Sequence, residues 1–78
     1  MKLNLKYFGM IAESAGKSEE KFSFTDGNTV AELKAQIVNL YNIKDPGTVQ
    51  IAVNQDLNVT SQLKEDDEVA FLPPFAGG

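Results

Sequence analysis

The stretch Thr29-Val30-Ala31-Glu32-Leu33-Lys34-Ala35-Gln36-Ile37-Val38-Asn39-Leu40-Tyr41 carries the most complete helix signature in the chain. Thr29 and Glu32 have the spacing of a capping box, in which hydroxyl and carboxylate satisfy orphan N–H groups of the first turn. Val30, Leu33, Ile37, Leu40 and Tyr41 then follow at helical spacing and predict one apolar stripe against a core. Asp45-Pro46-Gly47 closes the segment, so the helix ends near residues 42–44.

On both sides of this helix the period changes to that of strands. Residues 2–8 alternate, with Leu3, Leu5 and Tyr7 on one face and Lys2, Asn4, Lys6 and Phe8 on the other. Residues 9–16 lie between two glycines and have room for a short helical turn. Residues 18–24 read as a second strand, and Glu19, Glu20 and Lys21 mark it as an edge. Thr25-Asp26-Gly27-Asn28 is a turn signal. After the helix, residues 48–53 form a strand with Val49, Ile51 and Val53 inward. Asn54-Gln55-Asp56 turns tightly into a short strand at 57–59. Residues 61–67 connect to the last strand, 68–72, which Pro73-Pro74 stops because neither proline can donate to a ladder.

One helix must therefore cover one face of a small mixed sheet, with the last strand beside the first. That arrangement is α+β of the β-grasp, or ubiquitin-like, kind: about five strands packed on one main helix. Residues 1–72 make the domain, and residues 73–78 make an extended, flexible C-terminal Gly-Gly tail.

Composition narrows the chemistry. The 78 residues contain no Cys, His, Trp or Arg, and the seven basic residues are all Lys. Thiolate nucleophiles, zinc sites of cysteine and histidine, an imidazole base and a bidentate phosphate fork are all excluded. Eleven acids leave a net charge of −4, which disfavours nucleic acid and anionic membrane surfaces. No apolar run is long enough to span a bilayer, and the start lacks a signal-peptide block. A soluble cytoplasmic protein that is not an enzyme by itself is expected.

The ending, Phe71-Leu72-Pro73-Pro74-Phe75-Ala76-Gly77-Gly78, is the unusual feature. Pro73-Pro74 stiffens the exit, and six residues reach about 20 Å beyond the last strand. Gly77 and Gly78 have no Cβ, so they fit a channel too narrow for other residues. A frayed terminus is the plain alternative. The chemistry would reside in the α-carboxylate of Gly78, which is ionised at neutral pH and a poor electrophile until activated, for instance as a mixed anhydride with AMP. Nothing in the chain has the glycine-rich loop that binds ATP phosphates, so activation falls to a partner.

The segments TVAEL (29–33), IAVNQD (51–56) and LKEDDEVAFLPPFAGG (63–78), together with the opening strand, resemble the small subunit of molybdopterin synthase over essentially the whole chain. The resemblance implies a sulfur carrier. An adenylyltransferase related to ubiquitin-activating enzymes would adenylate Gly78 with MgATP, and sulfur from an indirect donor would then replace AMP to give a thiocarboxylate. The tail, Pro73, Pro74, Phe75, Ala76 and Gly77, would enter the large synthase subunit. There the thiocarboxylate would give sulfur to cyclic pyranopterin monophosphate on the route to molybdopterin. A complex of two small and two large subunits is implied, with no cofactor or metal bound by this chain. The sequence departs from the family where a glycine usually precedes the last strand. Asp66 and Asp67 stand there, at a modest expected cost in stability.

Strand parity also predicts a docking face. If Leu5, Tyr7, Ile51, Val53, Val69 and Phe71 face the helix, then Phe8, Ala52, Ala70 and Leu72 face outward, joined by Leu57. An apolar outer face near the tail calls for a partner, although scattered exposed apolar residues are ordinary. The acids 65–68 lack the ligand spacing of a calcium loop and read as a solvated turn; Lys34 and Lys44 read as solvated helix charges. Three other functions share much of this pattern: a thiamine-type sulfur carrier, a ubiquitin-like protein modifier, and a binding module with an inert tail.

Overall fold

A computed structural model of the chain describes residues 1–25, 27–57 and 62–73. Strand β1 (Lys2–Tyr7) leads into the short helix α1 (Met10–Ala15) and then strand β2 (Glu19–Ser23). Helix α2 (Val30–Tyr41), a 3₁₀ turn (Pro46–Thr48), strand β3 (Gln50–Val53) and strand β4 (Glu68–Leu72) follow. The sheet order is β2-β1-β4-β3, with β1 and β4 parallel and the other pairs antiparallel. The chain adopts the β-grasp fold expected of it, with the last strand beside the first. Four strands are present among the described residues. The expected short strand at 57–59 lies mostly outside them, as do Asp26 of the turn and Pro74 to Gly78 of the tail.

Both halves of the capping box form. Glu32 N–H donates to Thr29 Oγ1 at 3.2 Å, and the Glu32 carboxylate accepts from Thr29 N–H at the same distance. A further bond from Asn28 N–H at 3.1 Å, the strongest of these influences, helps hold the Glu32 carboxyl below the usual carboxylate range. Leu33 and Ile37 of α2 are buried against Leu3, Leu5, Tyr7, Val69 and Phe71 of the sheet, and these residues form the core.

Three expectations from pattern need correction. Leu40 does not join the core stripe; it is 55% exposed. At about 100° per residue it falls on the flank of the line through Leu33, Ile37 and Tyr41, in the last turn before the left-handed Asn42 ends the helix. Strand β3 begins at Gln50 because the chain first makes the 3₁₀ turn, although Val49 is buried as expected. Lys34 is not simply solvated, since its ammonium donates to the carbonyl of Val49 at 3.3 Å.

The acidic turn before β4 also has structural duties. Glu65 accepts from Lys2 N–H at 3.1 Å, and Asp67 accepts from Lys64 N–H at 2.8 Å and from Asn54 Nδ2 at 3.1 Å. Asp66 stands at φ 69°, a left-handed conformation that favours glycine. Its N–H and carbonyl are the groups that bond to Lys2 and Asn4, so glycine would keep both contacts. Asp66→Gly is therefore expected to stabilise the protein by about 0.5–1 kcal/mol, a rise of a few degrees in Tm by thermal unfolding. An unchanged or lower Tm would show that the aspartate carries no backbone penalty there.

Candidate functional site: the outer sheet face at the root of the tail

Helix α2 covers one face of the sheet, and Phe8 and Leu72, expected to face outward, lie on the other. In the observed register Lys6 stands beside Ala70, and Ala70 beside Ala52. The β1–β4 ladder runs one residue past the strand end, because Phe8 N–H donates to the carbonyl of Phe71 at 3.2 Å. That places Phe8 alongside Leu72, with Gln50 on the far side of Leu72. Phe8 is 45% exposed and Leu72 is half-buried.

Asn54 and Gln55 both have positive φ, 51° and 71°, and Val53 bridges Asp56 across them. This is the two-residue hairpin turn whose twist matches the strands. Continuing its register puts Leu57, 55% exposed, opposite Ala52 on the outer face. Paired with Ala70, Ala52 is only 6% exposed, so the expected outward alanine contributes little accessible surface.

Farther from the tail the face is charged. Lys6 pairs with Glu68 at 3.7 Å, and the partly exposed pair adds little to stability. The outer face thus has an apolar end, Phe8 and Leu72, directly at Pro73, where the tail begins. Among the described residues no group of three or more Asp, Glu, His or Cys side chains is placed to hold a metal ion, and no helix is long and apolar enough to cross a membrane. Of the residues expected to act, Phe8, Leu57, Leu72 and Pro73 are placed by the structure. Pro74, Phe75, Ala76, Gly77 and Gly78 lie outside the described residues.

Comparison with known proteins bears on the same features. A family model described as the ThiS family matches residues 5–78. The chain belongs to the ThiS family. It is 35% identical to the molybdopterin synthase sulfur carrier subunit of Chlamydomonas reinhardtii, with 100% of each chain covered. It is also 35% identical to the subunit of the same name from Mycobacterium tuberculosis, covering 100% of this chain and 99% of that one. Among solved structures it is similar to a complex of subunits 1 and 2 of the molybdopterin-converting factor from Helicobacter pylori. The TM-score is 0.69 at 28% identity, with 100% of each chain covered. This ThiS-family chain is a sulfur carrier of the molybdopterin synthase type, a non-catalytic subunit.

Two features of the carrier escaped the sequence pattern. Met10, 55% exposed, stands two residues after Phe8 and lines a cavity with Ile43 and Lys44, just past the end of α2. Glu20, which looked like an edge-strand charge, is the centre of a polar cluster. Tyr7 Oη and Tyr41 Oη both donate to its Oε2 at 2.5 Å, and Lys17 Nζ donates to its Oε1 at 3.3 Å. Burial works to raise the Glu20 carboxyl, but the bonds from Tyr41, Tyr7 and Lys17 outweigh it and hold the group below the usual carboxylate range. Burial and the adjoining carboxylate push the Tyr7 hydroxyl far above its ordinary value, so it stays a donor. The spacing of Glu20 and Tyr7 on paired strands was visible in the sequence. The approach of Tyr41 from α2 was not.

Proposed function

We propose that the carrier takes up sulfur on the α-carboxylate of Gly78 and delivers it within a molybdopterin synthase complex. The observation that carries this reading is the match to sulfur carrier subunits, which extends through Gly78 and covers the full length of both partners in the alignment. The body, residues 1–72, presents a tail, residues 73–78, whose two terminal glycines offer the least bulk beside the reacting carbonyl.

The steps balance without any catalytic group from this chain. A carboxylate oxygen of Gly78 attacks the α-phosphorus of MgATP on an adenylyltransferase related to ubiquitin-activating enzymes, and pyrophosphate leaves. A sulfide-level nucleophile from the donor attacks the acyl carbon and expels AMP, leaving a thiocarboxylate. In the large subunit that sulfur attacks a carbon of cyclic pyranopterin monophosphate that bears an oxygen leaving group, and its C–O bond breaks as the C–S bond forms. Water then attacks the acyl carbon of the thioester, and the C–S bond to Gly78 breaks. Sulfur stays on the pterin, and the chain terminus returns to the carboxylate. The absence of Arg and His accords with ATP and pterin being handled by partners. Phe8, Leu57, Leu72 and Pro73 form the docking face, the complex holds two carriers and two large subunits, and the setting is the cytoplasm.

The test is intact-mass measurement after incubation with the activating enzyme, MgATP and a sulfur source. Exchange of one oxygen for sulfur at Gly78, lost on deletion of Gly78, is expected. No exchange, with the activating enzyme shown competent on another carrier, overturns the reading. Binding to the large subunit separates this function from a thiamine-type carrier, and an isopeptide-linked ladder in cells would instead identify a protein modifier.

A further inference from the structure

We propose that the free edge of β2 is a docking site for an extended strand of a protein partner, added antiparallel, with an acid opposite Lys21 and a base opposite Glu19. The inference is independent of the sulfur chemistry. The β1–β2 ladder covers Lys2 to Lys6, and Phe8 lies beyond it, so a strand added to β2 leaves Phe8 and Leu72 open.

Sheet order places β2 at one edge, with β1 as its neighbour, whereas at the other edge the chain turns back beside β3 after Val53. Along an antiparallel strand, residues alternate between those whose N–H and C=O groups face the partner and those whose groups face away. Tyr7 N–H donates to Ser18 O at 2.9 Å, and Phe24 N–H donates to Met1 O at 2.8 Å. Those bonds assign Ser18 and Phe24, and with them Glu20 and Phe22, to the set that faces β1. Glu19, Lys21 and Ser23 therefore turn their backbone groups away from the sheet, and all three residues are exposed. No described residue bonds to those groups. Residues 19–23 pair with β1 in unbroken register, so no proline, glycine or bulge blunts the edge.

Charge guards this edge, and it also selects the occupant. Lys6 stands opposite Glu19, but its ammonium pairs with Glu68 at 3.7 Å. Neither Glu19 nor Lys21 makes an ion pair among the described residues. Opposite charges placed directly across a ladder stabilise it, and like charges there destabilise it. On the helix side of the sheet, the added strand runs beside Phe22, which is half-buried against the core, and an apolar side chain fits opposite it. Antiparallel addition is the more stable per residue. From its N-terminus the strand then has an apolar residue, an acid, any residue and a base. A second copy of β2 fits less well. Self-pairing centred on Glu20 or on Lys21 puts like charges opposite each other. Centred on Phe22, it puts Ser23 opposite Lys21 and Thr25 opposite Glu19, which leaves both charges unpaired.

The probe is the peptide acetyl-Ser-Val-Glu-Thr-Lys-amide, titrated to about 5 mM into the isotope-labelled full chain and followed by NMR. Saturable shifts and slowed hydrogen exchange are expected at the N–H groups of Glu19, Lys21 and Ser23. The charge-swapped peptide acetyl-Ser-Val-Lys-Thr-Glu-amide should bind about tenfold more weakly. The Glu19→Lys/Lys21→Glu double variant should reverse that preference. N-methylation of the peptide's Glu, whose N–H faces β2, should weaken binding about tenfold, and N-methylation of its Val, whose N–H faces away, by less than about twofold. Three results overturn the proposal: no response at the three amides, equal affinity of wild type for the two peptides, or equal effects of the two N-methylations. Concentration-dependent protection of Lys21 and Ser23 without peptide would assign the edge to a second copy and overturn it as well.

Discussion

Leu72→Asp is expected to weaken binding to the large subunit by about 30-fold or more in titration calorimetry, and Phe8→Asp to do so to a similar degree. The size follows from placing a carboxylate at the centre of an apolar contact, where truncating a central side chain typically costs about 2 kcal/mol or more. Phe8 and Leu72 are neighbours across the extended β1–β4 ladder, and both adjoin Pro73, so a partner that receives the tail must cover them. Neither side chain belongs to the core cluster, and thermal unfolding should therefore change little. Leu40→Asp is the control. It introduces the same charge at an exposed leucine on α2, the helix on the opposite side of the sheet, and binding should be unaffected. Unchanged affinity for both Phe8→Asp and Leu72→Asp would remove this face from the interface.

Glu20→Ala is expected to lower the unfolding free energy by about 2–3 kcal/mol, with a fall in Tm of about 10 °C or more. The loss comes chiefly from Tyr7. Its residue is 2% exposed, and with Glu20 gone its hydroxyl is left buried without its acceptor. Tyr41 loses the same acceptor, and with it the polar link that supplements the edge-on packing of the two rings, whose centroids are 5.8 Å apart. The Lys17 contact is more exposed and adds little. Urea unfolding should show a lower midpoint with an unchanged slope. Full retention of stability would mean that the tyrosines find other acceptors.

The same cluster predicts a pH dependence. A carboxyl held below its ordinary value near 4.5 contributes stability that is complete above that pH in the unfolded chain and is lost as pH falls through the lower folded value. Wild type should therefore lose stability on acidification below about pH 4.5. Glu20→Gln, which keeps an acceptor oxygen but cannot titrate, should start less stable and show a flatter acid limb. Glu32 is lowered in the same direction by its capping bonds, so part of the slope should persist in Glu20→Gln. An acid limb identical to wild type would assign the whole slope to other groups.

The sequence by itself determined the elements, because each rests on interactions between near neighbours. The capping box of Thr29 and Glu32, the alternation of β1 and β4, and the turn at Asn54-Gln55 are local preferences, and they form as expected. Parity then assigned Phe8 and Leu72 to the outer face, and the Gly-Gly ending is the feature on which the proposed carrier chemistry rests. Tertiary structure alone decided the rest. Glu20 meets Tyr41 across 21 residues, and Gly9 meets Pro73 only because parallel pairing of β1 and β4 brings the end of the first strand beside the end of the last. Leu40 has the composition of a core residue but lies on the flank of the helix stripe, beyond the cover of the sheet, while Ala52 on the outer face is enclosed by its strand neighbours. Periodicity specifies the side of an element on which a residue stands. What stands opposite depends on the register and ends of elements distant in sequence, and that set both the root of the tail and the partners of the partly buried Glu20.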